Sequence, residues 1–145
     1  MLAQMLRETP FLGAAALRDG RWRERLAELY LAAQGLWLLQ CRALTALGKG
    51  REPGPEMSGA KNLAAHTVQT FARLAIDLQG PRGVLGASEL GERFALVERL
   101  WFGAAGMRSA GGTDEIVKNS IGERVLGLAP EPRTDKGVPF DQLPR

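Results

Sequence analysis

Residues 21–47 place the strongest limit on what this chain can become. Leu26, Leu29, Tyr30, Ala33, Leu36, Trp37, Cys41, Leu44 and Leu47 recur at steps of three and four, the period that lines one side of an α-helix. A helix that long must lay its apolar side on something. Ala and Leu are abundant and β-branched and aromatic residues are sparse, so the partners are expected to be helices too. Trp37 and Cys41 fall on the stripe expected to be buried, where a thiol is usually inert. Arg21 with Glu24 and Arg25 with Glu28 are spaced to pair on the wet side, and Gly48 suits the end of the helix.

The remaining chain repeats the theme. Residues 49–54 read as a loop, and Pro55 suits the first turn of a second long helix running to about Leu78. Its core stripe is Met57, Ala60, Ala64, Thr67, Phe71, Leu74 and Leu78. His66 lies beside that stripe and reads as a packing or surface residue, with no nucleophile or orienting acid near it in sequence. Residues 78–86 lack the Walker spacing and a preceding strand, so they read as a helix–helix connection rather than a phosphate loop. A third helix follows over roughly 88–108, with Phe94, Val97, Leu100, Trp101, Ala104 and Met107 on one side. Residues 1–6 read as the end of a helix, apolar at Leu2, Met5 and Leu6. Pro10 breaks it, and 11–20 is a linker of small residues. The expectation is an all-α fold, an antiparallel helical bundle over 1–128, then an extended tail over 129–145 that contains four prolines. Val138 and Phe140 in that tail are expected to pack on a neighbour.

Several function classes lose support. The net charge is only +3 with the signs interspersed, and no basic run with aromatics points to nucleic acid. One cysteine and one histidine, Cys41 and His66, allow neither an internal disulfide nor a protein-only zinc site. The first residues lack the pattern of a signal peptide, and no apolar run reaches the roughly 18 residues of a membrane span. The expected location is the cytoplasm.

Residues 108–128, R-S-A-G-G-T-D-E-I-V-K-N-S-I-G-E-R-V-L-G-L, hold the chemistry. Ala110, Gly111 and Gly112 form a corner whose missing side chains let another group approach the backbone. Thr113 is the expected N-cap of a last helix, with Asp114 and Glu115 in its first turn, where negative charge suits the helix dipole. Ile116, Val117, Ile121, Val125 and Leu128 form its apolar stripe, and Gly127 and Pro130 mark its end. By turn chemistry alone this is a Gly-Gly connection between two helices. The whole string, however, closely resembles the last-helix signature of the acyl-CoA dehydrogenases, A-G-G-T-x-E-I-x-x-N-x-I-x-E-R-V-L-G-L followed by proline.

The resemblance extends loosely over nearly the whole chain and implies the C-terminal α-helical domain of that family. Family subunits carry an N-terminal helical domain and a middle β-domain ahead of it. The chain is therefore expected to be the C-terminal part of a longer subunit or a stand-alone descendant, inactive when isolated. The implied reaction is α,β-dehydrogenation of an acyl-CoA thioester with FAD, in a homo- or hetero-oligomer (dimer or tetramer) served by an electron-transfer flavoprotein. Thr113, Asp114 and Glu115 match residues that contact the flavin cofactor, and Gly111 and Gly112 lie on the substrate side of the corner. Gln79, Gly80 and Gly83 match a loop, F-G-G-x-G in the family, that reaches the FAD of a partner subunit; Pro81 replaces a glycine and Gln79 the aromatic residue. Arg7 through Gly13 loosely echoes R-x-x-F-G, whose arginine meets the FAD phosphates. One family branch carries its catalytic base as a glutamate at the position of Gly111, and another carries it upstream of Met1. No residue here matches that base, and Glu115 and Glu123 do not take its position. The alternative is a non-catalytic assembly module, or a subunit whose partner supplies the glutamate.

Overall fold

The computed structural model describes residues 1–54, 57–130, 137 and 139–142. In chain order it forms α1 (Leu2–Glu8), a hairpin of β1 (Pro10–Phe11) and β2 (Ala14–Ala15), a 3-10 turn (Ala16–Arg18), α2 (Gly20–Gly48) and α3 (Ser58–Leu78). A second 3-10 segment (Gly80–Val84), α4 (Ala87–Leu90), α5 (Glu92–Ser109) and α6 (Asp114–Arg124) follow, with a last 3-10 turn at Phe140–Gln142. The architecture is the expected all-α bundle.

Helix α3 is its axis. It packs against α1, α2, α5 and α6, and it can do so because small residues line it: Ala65, Ala72 and Ala75 have no exposed surface. Small side chains let several helix backbones approach one axis closely. The large apolar side chains gather towards the C-terminal end of α3. There Leu2, Met5 and Leu6 of α1 meet Trp22 and Leu29 of α2, Leu74 and Leu78 of α3, and Phe94 and Val97 of α5. Leu6 is only 1% exposed. The opposite end, where α6 lies on α3, buries Ala65, Ala104 and Val117 and no larger apolar residue among those described.

Four expectations are corrected. Residues 11–20 are not a plain linker: Pro10 pairs with Ala15 and Phe11 with Ala14. Leu12 (φ 50°) and Gly13 (φ 83°) supply the two left-handed positions of a tight hairpin turn. Phe11 then meets Trp22 edge-on, centroids 6.0 Å apart. Second, the third helix is two, because Gly91 at φ 85° interrupts the helical backbone between α4 and α5. Third, α2 is rotated relative to the expected stripe. It buries Trp22 and Leu29 and half-buries Leu26, Leu36 and Leu39, while Tyr30, Trp37 and Leu44 face outward, Trp37 with 57% of its surface exposed. Apolar residues on α2 occupy two sides of the helix, and periodicity alone could not tell which one meets α3. Fourth, the last helix ends at Arg124, short of Gly127, and of its expected apolar stripe only Val117 is buried, while Ile116, Val125 and Leu128 are exposed.

The wet-side ion pairs also differ, with Arg21 on Asp19 at 3.2 Å and Arg25 on Asp77 at 3.5 Å. Helix α3 ends at Leu78 as expected. Pro55, expected in its first turn, and Val138 lie outside the described residues, as does the side chain of Phe140. Among the described residues no helix is long and apolar enough to cross a membrane.

Candidate functional site

The corner between α5 and α6 is built from backbone. Ala110 is extended, and Gly111 and Gly112 both adopt left-handed conformations, φ 65° and 99°. These values are strained for any residue with a side chain, so the glycine pair is what lets the chain reverse within two residues. Thr113 caps α6 as expected, its Oγ1 accepting the Ile116 N–H at 3.4 Å. Among the described residues nothing accepts the N–H groups of Gly111 and Gly112. A shallow depression of about 320 Å³ opens beside them, lined by Gln69, Ala105, Arg108, Ser109, Thr113, Asp114 and Glu115.

Side chains from α3 and α5 hold this corner. Lys61 on α3 donates from Nζ to two carbonyls, Arg108 O at 3.0 Å and Gly112 O at 2.6 Å. Asn62, next to it, donates to Asp114 O at 3.2 Å. The Asp114 carboxylate points into the protein, with 4% of its side chain exposed, and its Oδ2 receives Arg108 Nη2 at 2.6 Å and Arg108 Nε at 2.7 Å. His66 brings Nε2 to 3.2 Å of the same oxygen, and Arg108 Nη1 also reaches Gln69 Oε1 at 3.5 Å. Asp114 Oδ1 and Asn62 Oδ1 are buried without a partner among the described residues.

These contacts fix the charges. The Arg108 hydrogen bonds hold the Asp114 carboxyl below the usual carboxylate range despite burial, and His66 and Lys61 add to the effect. Glu115 is exposed, and its own N–H together with the Thr113 hydroxyl lowers its carboxyl as well. A carboxyl held low is a weak base near neutral pH. Neither acid takes over the role of a glutamate at Gly111.

The structure separates the sequence candidates into two sets. Gly111, Gly112, Thr113, Asp114 and Glu115 sit at the α6 end of α3. Gln79, Gly80 and Gly83 sit at its other end, 18 residues from Lys61, or about 27 Å at helical rise. Gln79 there shares an open depression of about 360 Å³ with Glu8 and Thr9, the residues that follow Arg7 at the end of α1. Arg7 itself is exposed. Gly83 has a packing reason to be glycine: a Cβ there would lie 2.7 Å from Ile76 O and 3.0 Å from Ile76 Cγ2.

Lys61, Asn62, His66 and Gln69 were not among the sequence candidates. Their signal was faint but present, since four polar side chains within nine residues interrupt the apolar pattern of the most enclosed helix.

The family profile described as acyl-CoA dehydrogenase, C-terminal domain, matches residues 2–126. The chain belongs to that family. The acyl-CoA dehydrogenase domain superposes on the crystal structure of the ChsE4-ChsE5 complex from Mycobacterium tuberculosis with a TM-score of 0.78 at 21% identity, over 90% of this chain and 34% of that one. It superposes on the Tcur3481-Tcur3483 steroid ACAD with a TM-score of 0.69 at 19% identity, over 79% of this chain and 30% of that one. At such identities the likeness is one of fold. The domain spans about a third of the length of either solved chain. No curated protein matches it.

Proposed function

We propose that this domain forms part of the FAD and acyl-CoA site of an acyl-CoA dehydrogenase, the remainder coming from polypeptide outside residues 1–145, in the same chain or in a partner subunit. The observation that carries the reading is the pair of N–H groups at Gly111 and Gly112 that no described residue accepts, near an open polar depression at a helix N-terminus. Such a place suits an uncharged or weakly anionic oxygen, and the acids Asp114 and Glu115 disfavour a bare phosphate there. When bound, FAD would accept the hydride removed from the acyl β-carbon.

The domain's own share is recognition. Thr113 and Glu115 face outward and offer a hydroxyl and a carboxylate to ribityl or ribose hydroxyls. Asp114 serves from behind, since its carboxylate is committed to Arg108. Gln79, Gly80 and Gly83, at the far end of α3, face a second active site across a subunit interface, with Arg7 nearby. Proton removal belongs to a carboxylate supplied from elsewhere, because Gly111 has none. The assembly works in the cytoplasm, and an electron-transfer flavoprotein collects its electrons. Most of the tail expected over 129–145 lies outside the described residues.

Assembly is supported by the outward face of α2. Tyr30, Leu31, Trp37, Leu38 and Leu44 are all more than half exposed along one long helix, and contiguous apolar surface of that kind marks an interaction site. The same face, with Gly111, favours a second reading, a non-catalytic assembly subunit. Co-purification with a subunit carrying the other two family domains, followed by dye reduction with a panel of fatty, branched and steroid acyl-CoA thioesters, tests both. Turnover that requires both chains supports the first reading. A flavin-free, inert complex supports the second.

A further inference from the structure

We infer that Lys61 is the positioning residue of the Gly111–Gly112 corner, an inference that rests on the reading of that corner as a ligand-recognition element. Two consecutive left-handed glycines reverse the chain but do not hold it, because glycine is the residue with the most conformational freedom to lose. The apolar core cannot hold it either. The large buried side chains lie towards the C-terminal end of α3, whereas the buried apolar residues at the corner end are, among those described, Ala65, Ala104 and Val117. What fixes the corner is polar, and one side chain spans it.

The Lys61 ammonium takes the carbonyl of Arg108, before the corner, and the carbonyl of Gly112, within it. Those two oxygens bracket Gly111. With both tied to one nitrogen, the 108–109 and 112–113 peptides are held at a fixed separation, and the three peptides between them, which include those carrying the N–H groups of Gly111 and Gly112, must span that closed distance. Hydrogen bonds to a charged donor are stronger than neutral ones, and Lys61 is part-buried. Asn62 on Asp114 O and Arg108 on the Asp114 carboxylate anchor the helix that follows, but neither touches the corner's own carbonyls. Lys61 acts on the ligand through the backbone and does not itself reach the depression lined by Thr113 and Glu115.

The test is amide hydrogen exchange of the 145-residue chain, wild type against Lys61→Met and Lys61→Arg. Lys61→Met keeps the aliphatic stem and removes the donors. Exchange of the bonded amides that flank the corner, Ala110 (to Gly106 O), Ile116 (to Thr113 Oγ1) and Val117 (to Thr113 O), should then rise by about tenfold or more, the loss of two charge-assisted bonds, while amides in α1, α2 and the C-terminal half of α3 stay within about twofold. Lys61→Arg should restore part of the protection. Equal corner exchange in wild type and Lys61→Met overturns the inference, and so does a uniform rise over all helices, which would make Lys61 an ordinary stability residue. In the assembly with the partner subunit, Lys61→Met should lower kcat more than it raises KM at unchanged flavin content. An assembly whose wild type holds no flavin refutes the functional reading instead, and the exchange result alone then decides on Lys61.

Discussion

Gly83 matches a family loop that reaches the FAD of a partner subunit, yet the structure gives it a packing reason to be glycine, and substitution by alanine tests that reason. The added Cβ would stand 2.7 Å from Ile76 O and 3.0 Å from Ile76 Cγ2. That carbonyl cannot swing aside, because it accepts the Gln79 N–H at 2.9 Å where α3 ends. To reach ordinary contact the 3-10 segment must move away from α3 by roughly 0.7 Å. Overpacking against fixed backbone costs about 2–3 kcal/mol. The φ of Gly83 lies outside the left-handed region, so alanine also gains about 0.4–1 kcal/mol by restricting the unfolded chain. The net loss is about 1–2.5 kcal/mol. With about 2 cal/mol/K of unfolding entropy per residue over 145 residues, Tm should fall by about 3–8 °C. Gly86→Ala is the control: its nearest neighbour is Ser88 Oγ at 3.8 Å and its φ is also unremarkable, so Tm should hold or rise slightly. Differential scanning calorimetry of both variants reads the outcome. A Gly83→Ala protein as stable as wild type would refute the steric account and return Gly83 to the role of a residue kept small for a ligand.

Three further outcomes follow from the same contacts. Asp114 and Glu115 are held below their ordinary pKa values of about 3.8 and 4.5, so the stability they contribute is complete above those values and is lost as pH falls through the lowered ones. Helix α6 should therefore loosen below about pH 4 in exchange experiments, and Asp114→Asn should weaken it at pH 7 and remove Asp114's share of the acid limb; an unchanged limb would exclude the Arg108 contact as its source. Trp37→Glu with Leu38→Glu should abolish oligomers in sedimentation velocity while leaving the monomer's Tm within about 2 °C, since exposed substitutions stay near ±0.5 kcal/mol; intact oligomers would clear the α2 face of any role. Gly103→Ala and Gly106→Ala have open space around the new Cβ on α5 and should each stabilise by about 0.5–1 kcal/mol in urea titrations; a loss would mean that α5 is covered there by a partner.

Helix existence was legible throughout, because a period of 3.6 shows in any segment that buries one side. Which side is buried was not legible for α2. Tyr30, Trp37 and Leu44 recur at seven-residue steps as regularly as Trp22, Leu29 and Leu36, and only the position of α3 decides between them. Gly91 was equally opaque: a lone glycine inside a helical pattern is often tolerated, and its left-handed φ is visible only in three dimensions. The corner itself was legible in full, Thr113 cap and acidic first turn included, since cap chemistry is local. Its support was not. Lys61, Asn62 and His66 lie about fifty residues earlier in the chain, and no spacing rule links an α3 lysine to the carbonyl of Gly112.

We propose above that this acyl-CoA dehydrogenase domain supplies part of a flavin site that other polypeptide completes. Isothermal titration of FAD into the chain alone, and into its complex with a subunit bearing the other two family domains, tests that claim directly. The expected result is no measurable binding to the chain alone and stoichiometric binding to the complex, weakened by Thr113→Ala. Stoichiometric binding to the chain alone, or a complex that binds FAD no differently when Thr113 is replaced, would contradict it.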